Sequence, residues 1–245
     1  MADTETVGSA LSFEGVWNLR DLGGLPVAGG GRTRSRKLFR SGTLWFATNQ
    51  DCVALAGLSF DTCIDLRLPR EEQHEDAWLA ELLDLRYHNL PIEVPEEPAR
   101  VSLAHDGGSD HYLALLKHNA ANYVRALEII SEPDNHPLLF HCAGGLDQTG
   151  VLTALVLACL DVTEDAIVED YVESGTGLPH IVDRYREHKL YGQAAERAHE
   201  HRVDGAIMYA FIGAFGGAAG LRNWAVDNGF AAGSLERMRA SLIDA

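Results

Sequence analysis

The stretch His141-Cys142-Ala143-Gly144-Gly145-Leu146-Asp147-Gln148-Thr149-Gly150 decides how the rest of the chain is read. It follows a short apolar run, Pro137-Leu138-Leu139-Phe140, and precedes a longer one, Val151 to Leu160. The first has the length of a buried strand, the second that of a buried helix. A small glycine-bearing loop between the two presents backbone N–H groups at a helix start. There the orphan donors and the helix dipole favour an anion. Cys142 opens that loop. A cysteine so placed is expected to have a lowered pKa and to be partly thiolate, which makes it a candidate nucleophile.

Further out, Asn18-Leu19-Arg20-Asp21-Leu22-Gly23-Gly24 reads as a polar loop, and Val27 to Thr33 has turn chemistry. Lys37-Leu38-Phe39-Arg40-Ser41-Gly42 follows as a strand ending in glycine. Phe60 to Leu66 is β-prone and closes on Asp65-Leu66-Arg67. Together these stretches resemble the cysteine-dependent tyrosine phosphatases. They follow the bacterial tyrosine/dual-specificity branch, whose phosphate loop reads HC-x-A-G-K-D-R-T-G. That branch opens N-x-R-D-L-G-G, passes through a hairpin and continues L-x-R-S-G. The resemblance covers roughly residues 13 to 243. It departs from the loop pattern at three places: Gly144 stands for Ala, a mild change, Leu146 for Lys, and Gln148 for Arg.

The pattern of strands alternating with helices predicts an α/β fold, a mostly parallel central sheet flanked by helices. The resemblance makes that fold tyrosine-phosphatase-like, with additional helices at the C-terminal end. Residues 1–12 read as a disordered tail and 13–245 as a single domain. Phe13 to Trp17 and Tyr87 to Leu90 are further strand candidates. Thr48 is expected to cap a helix to about Ala56. Helices are also expected over Arg70 to Leu83, Asp110 to Glu132, Thr163 to Glu173 and Leu178 to Arg202. Val203 to Ala245 reads as helical, interrupted at Gly216-Gly217 and Gly229. Pro91 to Gly108 is the one long loop, of a kind that often serves as a lid.

The chain has 245 residues and a formal net charge of -16, so its surface should repel nucleic acid and anionic membranes. No apolar run reaches the length of a membrane span, and the acidic N-terminus lacks a signal-peptide core. The four cysteines lack metal-type spacing, so a reduced, cytoplasmic protein is expected, with Cys52, Cys63 and Cys159 as small buried residues. Arg32-Thr33-Arg34-Ser35-Arg36-Lys37 is the only dense basic run; it reads as a solvated turn and lacks the interleaved aromatics of nucleic-acid binders. His105, Asp106, Asp110 and His111 read as a solvated loop, and His199 and His201 fall on different helix faces. No metal and no cofactor is expected.

The resemblance implies phosphomonoester hydrolysis through a phospho-cysteine intermediate, with Cys142 as nucleophile and His141 as a brace for the loop. Asp147 takes the position of a candidate general acid, and Thr149 that of a hydroxyl assisting the second step. Ala143, Gly144, Gly145, Leu146 and Gln148 fall on the ligand-binding loop, with Arg20, Asp21, Arg40 and Arg67 at motif positions beside it. Arg20 and Asp21 are expected to form a salt-linked network there. Read without the resemblance, Cys142 and His141 are also ordinary core residues, and Asp147 and Thr149 ordinary helix-start residues. The family arginine is a planar, permanently charged fork, and Gln148 is neutral. Leu146 removes a second charge and places apolar surface at the pocket. Three readings of function follow. The first is a repurposed enzyme acting on a small-molecule ligand, with phosphomonoester hydrolysis weak or lost. The second is an atypical phosphatase of phosphorylated ligands that uses Arg20 or Arg67. The third is a non-catalytic binding module.

Overall fold

The computed structural model describes residues 13–69, 84–95, 103–104, 108–198 and 202–244. The expected tail over 1–12, the helix over 70–83 and the His199 and His201 segment lie outside the described residues.

Five strands form the central sheet: β1 (Arg20–Asp21), β3 (Leu38–Ser41), β4 (Thr62–Asp65), β5 (Arg86–Asn89) and β6 (Leu138–His141). Their order is β1-β3-β6-β4-β5. Only β1 runs antiparallel to its neighbour β3; β3, β6, β4 and β5 run parallel. The fold is therefore the mostly parallel, helix-flanked sheet that the sequence predicts. Register places Ser41, His141 and Asp65 side by side at the carboxyl ends of β3, β6 and β4. Residues that follow these three share one edge of the sheet, where ligands of parallel α/β sheets bind.

Helix α1 (Asn49–Ala56) starts with Thr48 and Asp51 exchanging hydrogen bonds in a capping box. The expected helix over 110–132 is instead two helices, α2 (Gly108–His118) and α3 (Ala120–Ser131). Asn119 makes the break: its amide donates to the carbonyls of Leu115 and Glu93 and accepts from the Glu93 N–H, each at 2.9 Å. Helix α4 (Asp147–Cys159) is buried on every side, as its unbroken apolar sequence requires. Helix α5 (Glu164–Tyr185) runs through the point where two helices were expected. Its buried residues Asp170, Tyr171, Ser174, Gly177, Leu178 and Ile181 keep three- and four-residue steps across the glycines and past Pro179. Packing there outweighs local propensity.

Helices α6 (Gly192–Ala198), α7 (Gly205–Gly213), α8 (Ala218–Asp227) and α9 (Ala232–Leu242) complete the C-terminal part. The chain then leaves helix: β7 (Ile243–Asp244) pairs antiparallel with β2 (Arg32–Thr33), a ladder the sequence does not reveal. Cys63 and Cys159 are buried as expected, but Cys52 is only half-buried on α1.

Phe13 to Trp17 is not a strand. The amides of Glu14 and Gly15 go instead to the Asp51 carboxylate, at 3.0 and 2.8 Å. One buried carboxylate thus caps α1 and anchors the N-terminal segment. Burial alone would raise its pKa, but the amides of Thr48, Glu14 and Gly15 and the Thr48 hydroxyl hold it below the ordinary value. A depressed folded-state pKa gives stability that is present above the unfolded pKa and lost as pH falls through the folded one. We expect Asp51→Ala to cost about 1–3 kcal/mol near neutral pH. The gap from the natural chain should shrink below about pH 4, as read from urea midpoints across pH.

Candidate functional site

Residues 142–146 form a loop between β6 and α4, and three consecutive carbonyls of it are pinned from outside. The Thr43 N–H donates to Ala143 O at 2.9 Å. The Asn18 side-chain amide donates to Gly144 O at 2.9 Å. Arg40 Nη2 donates to Gly145 O at 2.6 Å. Because the peptide unit is planar and trans, a carbonyl fixed outward turns the next N–H the other way. The Gly145 N–H accordingly donates to Cys142 Sγ at 3.2 Å. Gly145 has φ 67, and a side chain there would meet the backbone of Ser41 and Gly42 within 2.9 Å. The glycine is needed both for its left-handed backbone and for that approach.

Asp147 is the first residue of α4, and its Oδ1 accepts from the Tyr112 hydroxyl at 3.0 Å. Tyr112 in turn shares a 2.7 Å hydrogen bond with the Tyr171 hydroxyl. Thr149 is fully buried near the Cys142 thiol, and its hydroxyl has no hydrogen-bond partner among the described residues. His141 Nδ1 lies 3.2 Å from Cys142 O, and its Nε2 lies 3.9 Å from Asp65. Gln148 Nε2 donates to the carbonyl of Ile92 at 3.1 Å.

The loop is covered. Every residue from His141 to Gly150 is buried. A Cβ on Gly144 would lie 2.1 Å from Leu103 O, so the backbone at Leu103 sits directly on the loop. The change from Ala to Gly at 144, mild on paper, is what admits that segment. Leu146 is fully buried in the hydrophobic core. It packs behind the loop and does not present the apolar pocket surface that the sequence suggests.

The arginines at motif positions are all engaged in ion pairs, and only Arg40 also reaches the loop itself. Arg20 Nε pairs with Asp170 at 2.7 Å, and its Nη2 donates to Asp170 O at 2.7 Å and to Ser174 Oγ at 2.9 Å. Arg40, with no exposure, pairs with the other Asp170 oxygen. Desolvation and the neighbouring Arg20 bring Arg40 down to about 10, against the pull of Asp170 and Cys142. Burial would raise the Asp170 carboxyl, but the two arginines hold it below its usual value. Arg67 is paired with Asp65 at 2.6 Å, and Asp65 also accepts from Tyr87 at 2.7 Å. Asp65 stays well below the carboxylate range despite its burial, because Arg67 and His141 face it. The expected Arg20–Asp21 network does not form. Asp21 accepts instead from the amides of Gly23 and Arg36, at 2.9 and 2.7 Å, and ties the hairpin.

A model of the tyrosine phosphatase family matches residues 11–244. The chain belongs to that family. It is 32% identical over 178 residues to a protein of Cupriavidus necator assigned to the tyrosine-protein phosphatases, a match covering 67% of this chain and 62% of that one. It is 27% identical over 202 residues to the triple specificity protein phosphatase PtpB of Mycobacterium tuberculosis, covering 71% and 72%. Among solved structures, the core catalytic domain of the PP-IP phosphatase SIW14 from S. cerevisiae aligns with a TM-score of 0.43 at 16% identity, over 76% of this chain and 94% of that one. Among the described residues no group of acidic, histidine or cysteine side chains could hold a metal, and no helix is long and apolar enough to cross a membrane.

Membership in the family makes the loop contacts legible. Cys142, Asp147, His141, Thr149, Ala143, Gly144, Gly145 and Gln148 share one buried loop, and Arg40 braces it from behind. Arg20 reaches it through Asp170, Arg67 belongs to the Asp65 network, and Asp21 stands apart. Sequence reading missed Asp170, Ser174, Tyr112, Tyr171 and Leu103. Asp170 and Ser174 had one available signal, polar residues a turn apart on an apolar helix face; the others had none.

The thiol does not follow the sequence expectation. Burial pushes the Cys142 thiol up and Asp147 adds to this, while Thr149 and the Gly145 amide pull against them. A helix start lowers a thiol pKa only where water or a cation also solvates the thiolate. Alkylation at neutral pH should therefore modify half-buried Cys52 before Cys142, checked by peptide mapping of iodoacetamide-treated native protein. Asp170→Asn leaves the buried Arg40 and the half-buried Arg20 short of one counter-charge. It should lose about 3–5 kcal/mol of stability in urea unfolding.

Proposed function

We propose that this chain is a Cys142-dependent enzyme of the tyrosine phosphatase family in which phosphomonoester hydrolysis is slow. Its pocket takes a small-molecule ligand of lower negative charge than a phosphate ester. The observation that carries the reading is the hydrogen bond from Gln148 to the Ile92 carbonyl. The side chain in the place of the family's phosphate-holding arginine is neutral, and it is used to hold a neighbouring backbone segment. In this reading Cys142 attacks and Asp147, positioned by Tyr112, is the proton donor to the leaving oxygen. Thr149 and the Gly145 amide support the sulfur.

The second reading, a slow phosphatase acting on phosphorylated ligands, draws on the pinned carbonyls. They leave the Gly145 amide directed toward the thiol, and this reading takes it as the remaining part of an anion cradle without the arginine. The third, a binding module, needs no reaction at all.

Aryl phosphate hydrolysis by the natural chain, Cys142→Ser and Gln148→Arg separates them. We expect slow, Cys142-dependent turnover, raised by about 10²–10³-fold in Gln148→Arg, the worth of one preorganised donor in such a site. Turnover by the natural chain that Gln148→Arg does not improve would overturn the proposal in favour of the second reading. Turnover by none of the three, with no Cys142-dependent reaction on any ligand, would favour the third. Leu146→Lys is a poor companion test, since it would bury a charge in the core.

A further inference from the structure

A cavity at the opposite pole of the sheet takes no part in the site above. Arg34, Lys37, Pro133, His136, Arg237 and Ser241 line it, and its volume is about 350 Å³, within the range of small-ligand sites. Strand direction fixes where it lies. Lys37 precedes β3 and His136 precedes β6, and these strands run parallel with Leu38 opposite Leu138. The Cys142 loop follows the other ends of the same strands, a strand length of about 13 Å away.

Its charge is unlike the rest of the molecule. The chain carries -16, yet three basic side chains and a histidine meet here. Two of the cations are already balanced: Arg34 pairs with Asp244 at 2.7 Å and Arg237 with Glu132 at 2.6 Å. Arg34 is further fixed by donating to the Ser241 and Ile243 carbonyls at 2.9 and 3.1 Å, so it serves as a wall. Arg237 uses only Nη2, for Glu132 and Ser234, and its remaining N–H groups have no partner among the described residues. Lys37 has no carboxylate partner among the described residues and lines the same cavity as His136, whose imidazole is held below its ordinary pKa by burial first and by the Lys37 charge after it. His136 cannot turn away, because Nε2 is held by the Ile130 carbonyl at 2.9 Å. A lysine with no carboxylate partner among the described residues, lining one cavity with an arginine that has N–H groups to spare, offers an entering anion charge-assisted hydrogen bonds.

We infer that this cavity binds a small phosphate-bearing molecule, with Lys37 and Arg237 as the recognising cations. The basic run that reads in sequence as a solvated turn supplies one wall, and the last turn of α9 supplies the other. The volume suits a ligand of few heavy atoms, and the cations suit phosphate oxygens.

Calorimetric titration of the full chain with inorganic pyrophosphate tests this. The natural chain should bind in the millimolar range or tighter, less tightly as salt rises. Lys37→Glu and Arg237→Glu should each weaken binding by about tenfold or more. Thermal unfolding should show Lys37→Glu as folded as the natural chain, because its ammonium has no partner among the described residues. If that variant is nonetheless unfolded, Lys37→Gln carries the same expectation in weaker form. Equal binding by the natural chain and the folded variants would place the anion elsewhere and overturn the proposal, as would no binding by the natural chain. Neither result bears on the aryl phosphate assay, because Lys37 and Arg237 lie outside the Cys142 loop.

Discussion

Three hydrogen bonds to three consecutive carbonyls hold this protein's site together. Thr43, Asn18 and Arg40 reach Ala143, Gly144 and Gly145 from three directions. Each fixed carbonyl determines the orientation of the next amide, so the Gly145 N–H that reaches the Cys142 thiol is set from outside the loop. This explains why motifs far apart in sequence belong together. The asparagine of N-x-R-D and the arginine and glycine of L-x-R-S-G are the parts of the clasp. A side chain on Gly42 would meet Ile181 Cδ1 at 2.8 Å and the Trp17 and Ala143 carbonyl oxygens at 3.1 and 3.3 Å.

The clasp depends on a buried ionic cluster. Arg40 can reach Gly145 O only while its charge is balanced, and Asp170 balances it together with Arg20. Two cations sharing one carboxylate would be costly in an apolar interior. Here further donors of Arg20 and Arg40 go to Ser174 Oγ and to the Asn18, Asp170 and Gly145 carbonyls, while Arg40 Nε is buried without a partner among the described residues. Helix α5 therefore does two jobs along one face. Asp170 and Ser174 hold the arginines, and Gly177 makes room for Asn18, whose Oδ1 would lie 2.4 Å from any Cβ there.

The same loop shows how a substituted residue acquires a local use. Gln148 binds the Ile92 carbonyl and Gly144 admits the backbone at Leu103, so two departures from the family pattern both accommodate the segment lying over the site. Leu146, the third, belongs to the core. Because Cys142 is buried, desolvation governs the thiol and the helix start does not.

The sequence by itself determined the order of strands and helices, the family, and the position of Cys142 at a strand-to-helix loop. The strands, helices and loop follow from local apolar periodicity and from glycines whose backbone roles are local, and the family from the resemblance of the motifs at His141 to Gly150, Asn18 to Gly42 and Asp65 to Arg67. The break at Asn119, the continuous α5, the β2–β7 ladder, the role of Asp170 and the direction of the Cys142 pKa were decided by tertiary structure. Each rests on partners distant in the chain, as in the Asn18 bond to Gly144 across 126 positions, or on burial, which no local pattern specifies. A buried polar group takes whatever partner the fold brings to it. For that reason Arg20 pairs with Asp170 rather than with its sequence neighbour Asp21.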